Sequence, residues 1–358
     1  MTNINNYDFS RYKIVSKIGL TNLEDTSYFN AVLQCFRNIY NIANYFLDPN
    51  NTNNIKQNNN PLSFVIATAF QHLFPYPETD EKREFNTEDI FKILKKISIY
   101  KSYHKKPPND FLLYFLRTIH EELKKKDNNS SNEIMDNNKE LNLREKTIKK
   151  GLSKYMEKSI ISNNFSYYNL KEYICSQCEN IKYEFKSFNT FDLNISKYNK
   201  SDNKNNLTIY ECLKKLSQID NIIYCQECKD KMKFVILNRI YSSPNIFIFI
   251  LDRKNMDEEL IKISFNIEEK IDLNSFIEDK NSPKKYELIG VVSISMREKK
   301  YIAFSRSPIN KNWYLFNDSE VHPIDLNFVI KSHNRFNFYT PCILFYESIK
   351  NNSINKNE

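Results

Sequence analysis

Two pairs of cysteines carry the clearest chemistry in the sequence. Cys175-Ser-Gln-Cys178 and Cys225-Gln-Glu-Cys228 each place two thiols on a tight turn. Four thiolates meet the demand of Zn(II) for soft ligands in a tetrahedron, and a closed set of four leaves no open position for water. Such a site is structural, and its binding energy is folding energy. The alternative is four unconnected buried cysteines, but the paired spacing favours a metal. Cys35, Cys212 and Cys342 bring the total to seven. An odd number, in a chain without an apolar leader, does not read as a disulfide framework.

The elements that must carry these residues follow from periodicity. Phe29, Val32, Leu33, Phe36, Ile39 and Tyr40 recur at helical spacing, which predicts a helix over about 27–45 with Thr26 as N-cap. Further helices are expected at about 62–74, 88–97 and 108–125, the last opened by Pro107-Pro108. Residues 48–60 read as an Asn-rich loop. Residues 126–145 carry no aromatics and read as a disordered insertion. From about 165 the pattern becomes extended, with strands expected at 182–188, 232–240, 245–251, 286–293, 300–306, 312–316 and 341–347, and a short helix near 207–217.

Composition sets the class. A hydrophobic fraction of 41% over 358 residues provides a sizeable core and excludes a disordered chain. The net charge of +8 comes without an Arg-rich helix or an RNA-binding signature, so the lysines read as solvated surface and direct nucleic-acid binding is not expected. The longest apolar run, Ile246 to Leu251, is too short to span a bilayer. A soluble, intracellular protein is expected, in cytoplasm or nucleus, with no membrane partner. Only three glycines are present, so loops needing a positive φ must use Asn or Asp or do without.

The stretch Gly19-Leu-Thr-Asn-Leu-Glu-Asp-Thr-Ser-Tyr-Phe-Asn-Ala-Val-Leu-Gln-Cys35 resembles the Cys box of ubiquitin-specific proteases. There, Gly-Leu-x-Asn-Leu-Gly-Asn-Thr precedes a cysteine at a helix start. Six further features resemble that family in the right order. Lys106-Pro-Pro-Asn-Asp110-Phe-Leu-Leu is similar to the end of its Gln-Gln-Asp-Ala-x-Glu-Phe-Leu box, and the two C-x-x-C pairs to its zinc-bearing fingers. Pro244 to Arg253 is similar to its central strand; Tyr286 to Val292 and Trp313 to Val321 are similar to the two ends of its His box, and Cys342 to Tyr346 to its last strand.

The resemblance implies an α+β, papain-like cysteine protease fold with an α-rich thumb, a β-rich palm and zinc-bearing β fingers. It implies a polar tail at 1–12 and one domain at 13–347, with thumb at about 13–125, fingers at about 165–240, palm at about 241–347 and a polar tail at 348–358. In the family a thiolate is favoured by the positive end of the helix dipole. An Asn five residues earlier donates to the oxyanion. Here Asn22 matches the oxyanion Asn, while the nucleophile position is Ser27. Glu24-Asp25 replaces Gly-Asn and brings negative charge. The general base, His in Gly-His-Tyr, is replaced by Lys300 in Lys299-Lys300-Tyr301, and the orienting position matches Asn317, with Asp318 beside it. None of His72, His104, His120, His322 and His333 lies at the Tyr301 turn. Losing a nucleophile or base costs on the order of a million-fold in turnover.

The expectation is therefore a pseudo-deubiquitinase, holding Zn(II) for structure and binding ubiquitin or a ubiquitinated protein without cleavage. Two alternatives stand beside it. One is a scaffold in a multiprotein complex, similar to the spliceosomal pseudo-protease of the family. The other is a residual hydrolase using Ser27, with Lys300 as base if burial depressed its pKa.

Overall fold

A computed structural model of the chain describes residues 15–74, 84–97, 107–126, 141–195, 207–253, 263–334 and 338–349. They fall into two compact units, one built from residues 1–123 and 289–343, the other from 124–288 and 344–358. The expected tail at 1–12, residues 350–358 of the expected tail at 348–358, and residues 127–140 of the expected insertion lie outside the described residues. Ser348 still belongs to the last strand, Tyr339–Ser348.

Among the described residues, the first unit opens with six helices, α1 (Ser27–Arg37), α2 (Tyr40–Leu47), α3 (Pro49–Gln57), α4 (Pro61–Leu73), α5 (Glu88–Ile97) and α6 (Pro108–Leu123). The single helix expected at 27–45 is two, broken at Asn38 and Ile39. The Asn-rich stretch after it is not a loop. In α3, Pro49 starts the helix with its fixed φ, Asp48 accepts from the Asn50 N–H at 2.8 Å, and Ile55 anchors it in the core. The Glu122 carboxylate accepts the Leu62 and Ser63 N–H groups that open α4, at 3.0 and 2.7 Å.

Aromatic rings fill the space between these helices. Phe36 meets Phe115 at 5.1 Å, Phe29 meets Phe91 at 4.7 Å, and Phe46 meets Phe70 at 5.5 Å, mostly edge-on or tilted, as ring quadrupoles prefer. Arg37 is fully buried among them. Its guanidinium donates to Ser16 Oγ and to the Ile18 and Leu73 carbonyls, and lies 5.1 Å from the Phe316 ring centre. Burial pulls its pKa down to about 9.

Against α1 lies an antiparallel sheet in the order Glu320–Ile324, Trp313–Asn317, Tyr301–Arg306, then residues 289–295 and 339–343. A two-stranded parallel pair, Gly19–Leu20 with Glu84–Phe85, closes the other side of the loop before α1. Gly19 is obligatory in that pair, since a Cβ there would lie 2.2 Å from the Ser319 carbonyl oxygen.

The second unit carries a four-stranded antiparallel sheet in the order Ile181–Phe188, Tyr167–Cys175, Asp230–Ser242 and Gln218–Cys225. The helix Leu143–Lys154 packs on it through Ile148 and Gly151, against Leu170 and Phe185. This helix begins within the last residues of the expected insertion at 126–145. Residues 142–145 form a capping box, with Asn142 accepting from Glu145 N–H and Glu145 accepting in return. A parallel pair of Ile246–Asp252 with Phe191–Asn194 completes the unit's second core, where Phe247 and Phe249 stack at 5.1 Å. The run of Ile and Phe at 246–251 is fully buried, which is why it reads as uniformly apolar.

Candidate functional site

Asn22, Ser27, Lys300, Asn317 and Asp318, gathered from three separate sequence stretches, lie in the first unit, and most of them meet at one carboxylate. Asp318 is buried, and its backbone turns through a positive φ of 53° at the tip of the hairpin between Trp313–Asn317 and Glu320–Ile324. Its Oδ2 accepts from Asn22 Nδ2 at 3.0 Å, and its Oδ1 accepts from Asn30 Nδ2 at 2.9 Å. The Lys300 ammonium lies 3.4 Å from the same Oδ2. The Asp318 backbone carbonyl accepts the Leu20 N–H at 2.8 Å, so the tip is clamped to the strand that precedes the loop.

The loop itself is fixed from within. Asn22 Oδ1 accepts the Thr26 N–H at 3.0 Å, while Thr26 Oγ1 accepts the Leu23 N–H at 2.8 Å. Thr26 stands at the N-cap position of α1 but makes no capping bond; its hydroxyl faces back into the loop. Glu24 and Asp25 both adopt positive φ, 48° and 58°, a region that costs a non-glycine residue about 1–2 kcal/mol. Both are exposed.

Ser27 opens α1 and is only 2% exposed. Its Oγ accepts the Tyr301 N–H at 3.2 Å, across from the residue that follows Lys300. The turn between the strands Lys285–Ser295 and Tyr301–Arg306 is closed by Ser295 N–H to Lys300 carbonyl at 2.8 Å and by Lys299 at φ 55°. From it Lys300 reaches two carboxylates, Glu298 at 3.1 Å and Asp318 at 3.4 Å. Partial burial alone would lower its pKa, but bonding to Glu298 and the charges of Asp318 and Glu298 outweigh this, so the ammonium is held above its ordinary value. Glu298 is correspondingly pulled down, first by its bond to Lys300.

Asn317 donates through Nδ2 to Glu298 Oε2 at 3.3 Å. Its Oδ1 is buried and takes no hydrogen bond among the described residues. The residues that sequence alone did not single out are Asn30, one turn into α1, and Glu298, within the charged run Arg297 to Lys300. Neither stands at a position whose residue type announces a role. Cys35, the thiol eight residues after Ser27, is buried against the Phe304 carbonyl, and desolvation pushes its pKa far up, so it is a core residue with no thiolate to offer.

In the second unit the four paired cysteines converge. Their sulfurs all lie within 4.8 Å of one another, with Cys175 and Cys228 at 3.9 Å and Cys178 and Cys225 at 3.6 Å. A tetrahedron with metal–sulfur bonds near 2.3 Å has edges of about 3.8 Å. Two of the separations match those edges, and the four thiols together could hold a metal ion. Each knuckle turns through a positive φ just after its second cysteine, at Glu179 (56°) and Lys229 (57°). Hydrogen bonding from the Cys178 backbone N–H, foremost, pulls the Cys175 thiol down to about 7, which prepares one thiolate before any ion arrives.

A helix that starts at the nucleophile position, opposed by an antiparallel sheet whose hairpins bring the remaining positions to it, is the papain-like arrangement of the ubiquitin-specific protease type. Solved structures agree. The SAGA Ubp8/Sgf11/Sus1/Sgf73 DUB module bound to ubiquitin aldehyde matches with a TM-score of 0.68 at 20% identity, over 95% of this chain and 70% of that one. The family model for ubiquitin carboxyl-terminal hydrolases matches residues 18–346, and the chain belongs to that family. Among curated relatives, ubiquitin carboxyl-terminal hydrolase 48 of Danio rerio is 24% identical over 328 residues, covering 86% of this chain and 27% of the relative. Ubiquitin carboxyl-terminal hydrolase 4 of Saccharomyces cerevisiae is 22% identical over 366 residues, covering 90% and 38%. The chain thus spans well under half the length of either relative.

Proposed function

We propose that this protein is a non-cleaving member of its family, which binds ubiquitin or a ubiquitin-bearing protein and has given up hydrolysis. The observation that carries this reading is Lys300. A general base must be neutral and free to take a proton from the nucleophile. Lys300 is instead a protonated ammonium bonded to Glu298 and Asp318. Ser27 offers a hydroxyl, a weak nucleophile without an adjacent base, and that hydroxyl already accepts the Tyr301 N–H. Asn22, which would donate to an oxyanion, spends its amide on the Asp318 carboxylate. The orphaned Asn317 Oδ1 fits the same account, because an imidazole N–H would be its natural donor.

Ubiquitin as the ligand is supported by family membership and by the likeness to modules solved with monoubiquitin and with ubiquitin aldehyde. Zinc is the metal that best suits four closed thiolates. Cys175, Cys178, Cys225 and Cys228 would hold it and fasten the ends of two hairpins. Metal analysis of the purified protein then finds about one zinc per chain, lost in a Cys175→Ser, Cys228→Ser double variant.

The test of non-cleavage is turnover of a fluorogenic ubiquitin conjugate by wild type and by Ser27→Ala. Equal rates at background are expected. A wild-type rate clearly above that of Ser27→Ala would overturn the proposal and restore Ser27 as a nucleophile.

A further inference from the structure

The lysines that composition assigns to solvent are not spread evenly over the second unit. Lys146, Lys150 and Lys154 stand four residues apart on the helix Leu143–Lys154, so they rise along one face about 6 Å per step, with Lys149 beside them. The two acidic or strongly bonded groups at the helix start are already committed, Glu145 to the capping box and Arg144 to Glu172 and Glu278. Among the described residues no carboxylate pairs with any of these four lysines. Lys92, Lys186, Lys233 and Lys285 each stand beside a carboxylate, and other lysines such as Lys56 and Lys231 do not, so what distinguishes the four on this helix is their alignment along it.

The stripe continues past the helix. In the short antiparallel pair of Lys125–Lys126 with Glu157–Lys158, Lys125 stands directly opposite Lys158. Like charges in that register repel, as they do at helical i,i+4 spacing. Two rings lie among these cations: Lys154 Nζ is 5.6 Å from the Tyr155 ring centre and Lys158 Nζ donates to the Tyr168 hydroxyl at 3.0 Å, with the two rings 6.0 Å apart, while the neighbouring Glu157 is taken by Lys124 at 2.8 Å. Both rings are half-buried. A surface that repels itself in two places, with aromatic rings at its end, is completed by a polyanion.

We infer that the face formed by Lys146, Lys149, Lys150 and Lys154, continued by Lys125, Lys158 and Tyr155, binds single-stranded nucleic acid through its phosphate backbone. A line of cations that tracks a backbone, with aromatic rings beside it, is how such strands are held without sequence preference. Protein partners are less suited, because lysine is depleted in protein interfaces, which are anchored by Trp, Tyr and Arg. A membrane is less suited as well. The buried residues of this helix, Ile148 and Gly151, are spent on Leu170 and Phe185, and its exposed Leu143 and Leu152 stand nine residues apart on opposite sides, so they form no continuous apolar face to insert.

The experiment is fluorescence anisotropy of a labelled mixed-sequence single-stranded RNA titrated with the full chain across a salt series. The comparison is between Lys146→Gln/Lys150→Gln/Lys154→Gln and a control of equal charge, Lys56→Gln/Lys96→Gln/Lys231→Gln, each checked for an unchanged melting curve. The face variant is expected to bind at least tenfold more weakly, with its log–log salt slope reduced by about 2. The control is expected to keep the wild-type affinity and slope. Equal weakening by both variants would reduce the effect to net charge and overturn the inference. So would absence of RNA binding at low salt, or tighter binding to vesicles of anionic lipid or to an acidic peptide than to RNA at matched charge.

Discussion

At the scale of single residues, the Asp318 carboxylate organises the centre, taking hydrogen bonds from Asn22 and Asn30 and an ion pair from Lys300. Lys300 and Glu298 form the titrating part of that arrangement. Glu298 sits below its ordinary pKa, so its contribution to stability is present above the unfolded value and is lost as pH falls. Lys300 sits above its ordinary value, so its contribution is present below the unfolded value and is lost as pH rises. The pair therefore stabilises fully between about pH 4.3 and about pH 10.4. Both side chains are partly exposed, which screens the effect and keeps it small. The expected result for Lys300→Met is a melting temperature below wild type at neutral pH, with the difference shrinking below about pH 4.3 as Glu298 protonates in both proteins. Calorimetry over a pH series measures it; a difference that stayed constant into acid would separate Lys300 from Glu298.

At the scale of elements, two substitutions test how the loop before α1 and the third helix are built. Gly19→Ala drives a Cβ into the Ser319 carbonyl, so an overpacking loss of about 1–3 kcal/mol is expected in denaturant unfolding. A loss under half of that would mean the two backbones separate easily. Asp48→Ala removes the cap of α3, for an expected loss of about 1 kcal/mol, while Asp48→Asn retains most of it. Helix α3 also shows where reading the sequence stops. Its nine residues, Pro-Asn-Asn-Thr-Asn-Asn-Ile-Lys-Gln, have poor helix propensity and a single buried anchor, Ile55, so only the Asp-Pro start betrays it. The strand Gln218–Cys225 was hidden for a related reason. Almost every side chain on it is exposed, so no alternation marks it. Strongly patterned elements were legible to within a few residues, among them α5, α6 and the strands around Val235, Phe249 and Phe304. The positions of the site were legible through motif order. What the motifs could not announce was the use of Glu298 and Asn30, since a carboxylate in a charged run and an Asn in a first turn are ordinary until a fold brings them to a common partner.

At the scale of the whole molecule, a family fold persists over residues 18–346 around a centre whose own side chains occupy one another. On the proposed reading, the chain binds a protein ligand without cleaving it. That is the account's central claim, and binding tests it most directly. Unlabelled protein is titrated into isotopically labelled ubiquitin, and the ubiquitin amide resonances are followed by NMR. The account predicts saturable shifts at micromolar concentration on one contiguous face and the C-terminal tail, with the ubiquitin intact at the end of the titration. Unshifted resonances at high protein concentration would contradict it, and would mean that the fold is kept as a scaffold for other partners.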